Sequence, residues 1–485
     1  MFSGQKHRGN IIYYAEAAAV ISVCFLLLVN FSSAFSKPFS VAALYLFYCA
    51  AVLAVFYVTR DSICRGSVIK RMAFVMAAAF AIRLPAVYFL NLTMQGDYAI
   101  YLSTARKIAT GTLSDSNKLY YGIFPHALNY PIFISFFYRL FGEKTWLPRI
   151  INLFFGVIEA GAGAYILEKF TGPRTGVLAG LAVALNPSVI IFTLLSGGEP
   201  VYSSIILCAV LVFTAGIDRE KHYPFMAAFG IISALGNFFR PTALILIIAS
   251  VMVILLCCNF SAVRKILSAG IIVLSYAIVT LLLGAVTASV SGYESPSYGF
   301  GWNLYVGANE ESQGRWNEKD GELFEKIKNE YQDPSEIQEY FFKQGTERYK
   351  NMGIRVIRHF KRKLSVWFDE NYVSMVVTGW QTAYTRFKSS DLRQTFYLIA
   401  NSFNIFIVTG AAAAMLILSL NRKDAGTVKI LSYYMAGVII LYMLLETATR
   451  YKGAYYSTLT LLAVYGYRKI LNFVKIRCDI KNKKV

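Results

Sequence analysis

The stretch "RMAFVMAAAFAIRLPAVYFLNLTMQGDYAIYLSTARKIATG" (71–111) decides the fold. Its first half is apolar for about twenty residues, enough to cross a hydrocarbon core of about 30 Å as a helix. Its second half carries a lone acid, Asp97, in a Gly-Asp-Tyr setting just where that helix ends. The side of a membrane that Asp97 faces therefore governs what it can do.

Apolar runs of this length recur along the 485-residue chain, which is 56% hydrophobic and 16% charged, against roughly 25% charged in a soluble protein. The expected fold class is an all-α polytopic membrane protein. Spans are expected near 11–31, 39–59, 72–91, 147–168, 176–195, 201–217, 224–239, 241–258, 267–290, 396–420, 429–446 and 453–471, twelve helices with both chain ends on one side. The first run follows Lys6 and Arg8 like a secretion signal, but it is long enough to span and reads as a retained helix.

A net charge of +20 would suggest nucleic acid in a soluble chain. Here the lysines and arginines gather in short loops, and no basic–aromatic pattern points to nucleic acid. "TRDSICRGSVIKR" (59–71), "KFTGPRTG" (169–176), "DREKH" (218–222), "NRKD" (421–424) and the tail from Arg468 all fall on one side of the twelve-span map. Cytoplasmic loops attract such cations, so that side is the cytoplasm. The seven cysteines form no CxxC or Cys/His cluster, which supports neither a zinc site nor a disulfide framework.

The chain divides into a two-helix extension (1–70), a membrane core (71–290) with a first outer loop (92–146), an outer region (291–395), and a final three-helix segment with a basic tail (396–485). Within the outer region, "KDGELFEKIKNEY" (319–331) and "PSEIQEYFFKQGTERYKN" (334–351) read as solvated helices. "MGIRVIRHFKRKLSVWF" (352–368) sets Ile354, Ile357, Phe360, Leu364 and Trp367 along one face and Arg355, Arg358, Lys361, Arg362 and Lys363 over the rest. That pattern suits an interfacial helix lying on the membrane.

Asp97 then emerges on the outer face. It fits the N-cap of a helix over 98–110 closed by Gly111, and it equally fits a general base at the water–membrane boundary. Arg149, Arg240 and Arg450 lie at the outer ends of spans, and Arg83 lies inside the third span. Each alone fits snorkelling or an ion pair, Glu446 being in reach of Arg450 and Glu159 of Arg83. Together on Asp97's half of the membrane they suit an anionic ligand such as a lipid phosphate, which guanidinium binds in a fork. "GWNLYVGANEESQGRWN" (301–317) is amide-rich and aromatic, a texture for close backbone approach and sugar stacking. Tyr98, Glu199, Asn303, Asn309, Trp316 and Tyr451 are the candidate substrate contacts. His126 reads as structural. No DxD pair flanks Asp97 and no Gly-rich phosphate loop occurs, so neither a metal nor a cofactor is expected.

In order along the chain, "GDYAIYLSTARKIATG" (96–111), "NYPIFISFFYRLFGEKTWLPRIINLFFG" (129–156), "LNPSVIIFTLLSGGEPVY" (185–202), "FRPTALI" (239–245), "WNLYVGANEESQGRW" (302–316) and "ETATRYKGAYYSTLTLLAVYG" (446–466) resemble the multi-spanning glycosyltransferases of the GT-C superfamily. The protein O-mannosyltransferase-like (family 39) and aminoarabinose-transferase-like branches are the most similar. The match departs from them in its two extra leading helices and in having Asp97-Tyr98 where several branches have Asp-Glu. The resemblance implies transfer of a sugar from a polyprenyl-phosphate-linked donor to a hydroxyl of a protein, lipid or cell-wall glycopolymer. It implies Asp97 as the base and Arg450 on the donor phosphate, with Arg149 and Arg240 matching motif arginines; Arg83 stays a phosphate candidate from the clustering of cations alone. The expected location is the bacterial plasma membrane, with an extracytoplasmic site; a flippase for lipid-linked sugars is the alternative.

Overall fold

The computed structural model describes residues 50, 53, 54, 57, 60–89, 92–294, 299–369, 372, 390–420 and 426–482. Helical residues already occur at 60–65, and the helices with described bounds are, in order, α1 (Val68–Phe89), α2 (Gly96–Thr110), α3 (Asp115–Ile123) and α4 (Pro125–Phe141). A run of apolar helices follows: α5 (Leu147–Thr171), α6 (Pro173–Leu185), α7 (Pro187–Leu194), α8 (Glu199–Gly216), α9 (Tyr223–Phe239), α10 (Ala243–Cys257) and α11 (Ala262–Ser291). Next come α12 (Phe300–Gly307), α13 (Glu318–Glu330), α14 (Pro334–Met352) and α15 (Val356–Phe368), and last α16 (Ser390–Leu420), α17 (Gly426–Leu444) and α18 (Tyr456–Asn482).

Helices form at every expected span from 72 to 471, whereas 11–31 and nearly all of 39–59 lie outside the described residues. Among the described residues four helices (α5, α8, α11 and α16 from Gln394) are long and apolar enough to cross a membrane, so the chain is an integral membrane protein. The expected twelve spans exceed what length supports among the described residues. At 1.5 Å per residue, α9 and α10 reach only about 22–26 Å.

The span expected at 176–195 is a bent pair, α6 and α7 meeting at 51°. Proline causes the break: Pro187 has no N–H to give the Val183 carbonyl, four residues back. Asn186 caps α7 instead, accepting from the amides of Ser188 (3.0 Å) and Val189 (3.4 Å). The Val183 oxygen receives a long bond from the Asn186 amide (3.4 Å) and one from Arg83 Nη2 (3.2 Å). Arg83 also donates to the Ala79 carbonyl (3.4 Å). The buried arginine of the third expected span thus serves a broken helix. Arg83→Met, which withdraws that donor, is expected to lower stability by about 1–3 kcal/mol in a thermal scan while leaving polyprenyl-phosphate affinity unchanged. Small residues let these helices approach: a Cβ at Gly180 of α6 would lie 2.8 Å from the Ala160 carbonyl of α5.

The segments 92–146 and 299–369 pack together in a second apolar core, in which Ile123 and Phe124 of the first meet Trp302, Phe324 and Phe341 of the second. Gln338 ties the seam, accepting from the Trp302 amide (3.1 Å) and donating to the Ile123 carbonyl (3.1 Å). Beside it Asp320 accepts from Arg348 (2.9 Å), Asn309 (2.9 Å) and Asn317 (2.8 Å). Burial pushes the Asp320 carboxyl up, but these hydrogen bonds outweigh it and hold it below the ordinary carboxylate range. The lowered value sets the sign: the stabilisation is present above the unfolded value of about 3.9 and is lost as pH falls through the folded one. Asp320→Asn is expected to cost about 1–3 kcal/mol at pH 7, a difference that shrinks below about pH 4 in melts run across pH.

Within 352–368, Ile354 (83% exposed) and Ile357 (65% exposed) present an apolar surface, as a helix lying on a membrane would, while Trp367 is buried within the protein. One reading is corrected there. The inward face instead carries His359 and Lys363, the latter expected among the solvated cations. The reason is the supply of carbonyls at two helix ends. Lys363 Nζ donates to the carbonyls of Gly307 (2.9 Å), at the end of α12, and Leu445 (2.6 Å), just past α17, and His359 Nε2 lies 2.8 Å from the same Gly307 oxygen. Burial pushes Lys363 down to about 7.

Candidate active site

Asp97 sits in the first turn of α2, which Gly96 opens at φ 56 after an extended Gln95. The capping expectation is therefore corrected, because Gln95 holds the N-cap position and no side chain caps the helix. Gly111 does end the helix in the left-handed conformation, φ 71. A carboxylate in the first turn is favoured by the helix dipole, and that of Asp97 reaches out of the helix to ion-pair with Arg450. Arg450 therefore takes Asp97 as its ion-pair partner where Glu446 had been the local candidate.

Arg450 comes from the opposite end of the chain, on a 3-10 turn (Thr449–Tyr455) joining α17 to α18. Aromatic packing fixes that turn. The Arg450 guanidinium lies 5.5 Å from the Tyr451 ring centre, Tyr451 stacks on Tyr442 at 5.6 Å, and Tyr442 on Trp367 at 5.9 Å. The Tyr455 hydroxyl pairs with Thr242 (2.8 Å), and Lys452 donates to the carbonyls of Phe368 (3.1 Å) and Asp369 (3.0 Å). The cation is thus held by the end of α15 and by the turn preceding α10.

Tyr98, next to Asp97, is buried, and its hydroxyl accepts from Tyr372 (3.1 Å). Its ring bears on the first glycine of "LSGGEPVY": a Cβ at Gly197 would lie 2.6 Å from it. Asn152 of α5 holds the same loop, donating to the carbonyls of Leu195 (2.6 Å) and Gly197 (3.2 Å).

Asp97 and Arg450 face a cavity of about 1370 Å³, and of the expected contacts Asn303, Trp316 and Tyr451 also line it. The others do not. Arg240 pairs with Glu199 at 2.7 Å. Arg149 is buried in the first turn of α5, and Arg83 serves the α6–α7 break. Asn309 shapes its own turn, its Oδ1 accepting from the amides of Glu311 (3.0 Å) and Ser312 (3.1 Å). The expected four-arginine cluster therefore reduces, on this cavity, to Arg450.

Glu446 is a cavity residue that sequence reasoning used only as a possible partner for Arg450. Its amide donates to the Asn303 carbonyl (2.7 Å), and the next amide, of Thr447, donates to the Gly314 carbonyl (2.8 Å). These bonds fasten the "ETATRY" segment to α12 and to the loop after it. Burial pushes the Glu446 carboxyl up against the opposing pull of Arg450 and a hydrogen bond from Tyr451. Tyr101 lines the wall beside Asp97, and burial raises its hydroxyl to about 12, so it stays a donor at neutral pH. The arrangement offers a carboxylate able to take a proton, beside a guanidinium able to hold an oxyanion.

No protein-family model and no curated protein sequence matches the chain. Among solved structures it is similar to ArnT from Cupriavidus metallidurans bound to undecaprenyl phosphate, at 12% identity and TM-score 0.38, over 82% of this chain and 77% of that one. Apo ArnT gives 12% identity and TM-score 0.36 over 80% and 76%. The archaeal oligosaccharyltransferase AglB from Archaeoglobus fulgidus, in complex with an inhibitory peptide and a dolichol-phosphate, gives 11% identity and TM-score 0.43 over 85% of this chain and 52% of its own length.

Proposed function

We propose that the chain is a membrane glycosyltransferase. It moves a sugar from a polyprenyl-phosphate-linked donor to an acceptor hydroxyl on the extracytoplasmic face of a bacterial plasma membrane. In this reading residues 71–290 and 396–485 form the membrane core, and 291–395 form the cover over its outer end. Counting the short α9 and α10 as spans, and adding the two leading helices of 1–70, this reading has twelve. One observation carries the proposal: Asp97 and Arg450, far apart in sequence, form an ion pair on the wall of a cavity of about 1370 Å³.

The donor phosphate takes the place of Asp97 on Arg450, which frees the carboxylate as a base. The acceptor oxygen attacks the anomeric carbon and passes its proton to Asp97. The bond from that carbon to the phosphate oxygen breaks, and its electron pair stays on the phosphate beside Arg450. In-line attack inverts the anomeric centre. The phosphate leaves as an anion, so it needs a cation more than a proton.

The transport alternative calls for polar residues deep in several spans. The two deep candidates are engaged in packing: Arg83 with the Val183 carbonyl (3.2 Å), Glu159 with the Ser203 hydroxyl. The test is purified protein incubated with a panel of radiolabelled polyprenyl-phosphate sugars and candidate acceptors, with mass analysis of products. Label transferred to an acceptor supports the reading. Movement of intact donor across vesicles without any product would favour transport.

A further inference from the structure

The cavity that holds Asp97 and Arg450 runs to the start of α13, where it carries groups the proposed transfer step does not use. Trp316 stands there 60% exposed. Its indole rests against Gly321, where a Cβ would lie 3.1 Å from the ring. The glycine makes room for the ring at this spot, and both residues line the cavity. Thr447 belongs to the same wall: the residue is 0% exposed, and its hydroxyl has no hydrogen-bond partner among the described residues. The bond from its amide to the Gly314 carbonyl (2.8 Å) staples it two residues from Trp316. Ser312, on the other side of Gly314, likewise lines the cavity with a buried hydroxyl lacking a partner.

Charge narrows what this corner accepts. Asp97 and Arg450 neutralise each other. The remaining charged side chains of the lining are Glu318, Glu322, Glu325, Asp369 and Glu446 against Arg315, with Glu325 ion-paired to Lys328. A polyanion entering there meets mostly like charge, whereas a neutral or cationic group does not.

We propose that this corner is the acceptor subsite, and that it takes an uncharged or amino-substituted pyranose stacked on Trp316 and hydrogen-bonded by Thr447 and Ser312. The inference rests on the glycosyl-transfer reading and names its acceptor class: a glycan without phosphate or carboxylate groups at the ring that enters. The C–H face of a pyranose is apolar and flat enough for an indole, and its hydroxyls supply the donors and acceptors that the orphan hydroxyls of Thr447 and Ser312 lack.

The test is isothermal titration calorimetry of the full chain in nanodiscs with four probes: mannotetraose, cellotetraose, the glucosamine tetramer and tetragalacturonate. At least one of the first three is expected to bind saturably, and tetragalacturonate is not expected to compete. Trp316→Ala should weaken that binding about three- to tenfold. Gly321→Ala, which moves the ring from its seat without removing it, should weaken it less. Binding by none of the first three, equal binding of tetragalacturonate, or indifference to Trp316→Ala overturns the proposal. Undecaprenyl phosphate is titrated in parallel. Loss of that binding with sugar binding intact sinks the transfer reading, and the reverse result sinks the subsite alone.

Discussion

Asp97→Asn is expected to abolish measurable sugar transfer while leaving donor binding intact or tighter. The amide keeps the shape of the side chain and loses its basicity, so the acceptor hydroxyl has no base to take its proton. That contribution is worth about 10²–10⁴-fold in rate. The same change leaves Arg450 without the carboxylate that pairs with it, and an unopposed guanidinium binds phosphate at least as well. A fall in kcat with an undiminished affinity for undecaprenyl phosphate is therefore the expected signature, read by single-turnover kinetics beside equilibrium binding. Glu446→Gln is the control, because Glu446 lines the same cavity and burial pushes its carboxyl up. Asp97→Asn turning over normally while Glu446→Gln is inactive would transfer the role of base to Glu446.

The second large effect is at Arg450. Hydrogen bonds to a charged group contribute about 1.5–3 kcal/mol each, so Arg450→Ala should weaken polyprenyl-phosphate binding by about ten- to a hundredfold. The loss should be steepest at low salt. Arg450→Lys keeps the charge but not the fork, and is expected to fall between the two. Because the turn is held independently by Tyr455 on Thr242 (2.8 Å) and Lys452 on the end of α15, the alanine variant should still fold. A thermal scan within a few degrees of the parent checks that. Unchanged binding in a folded Arg450→Ala protein would place the phosphate elsewhere.

Much of this architecture was legible in the sequence because long apolar helices announce themselves by length and composition. Asp97 and Arg450 stand out singly in the sequence as charges at the ends of apolar runs. Their pairing was not, because nothing local links residue 97 to residue 450. The role of Arg83 was hidden for a related reason. Its value lies in replacing the donor that Pro187 withholds from Val183, a contact between helices distant in sequence. Lys363 misled more directly. In a basic amphipathic segment a lysine reads as solvated, and only the close approach of two helix ends turns it into a donor for Gly307 and Leu445. Asn309 had the right residue type for sugar contact, yet two backbone amides in its own turn engage its side-chain oxygen.

The place of the lipid phosphate is tested most directly by a structure of the protein with undecaprenyl phosphate in a nanodisc. The expected map shows the phosphate within about 3 Å of the Arg450 guanidinium, with the Asp97 carboxylate released towards the cavity. A phosphate seated instead on Arg149 or Arg240, or at the opposite end of the helix bundle, would contradict it.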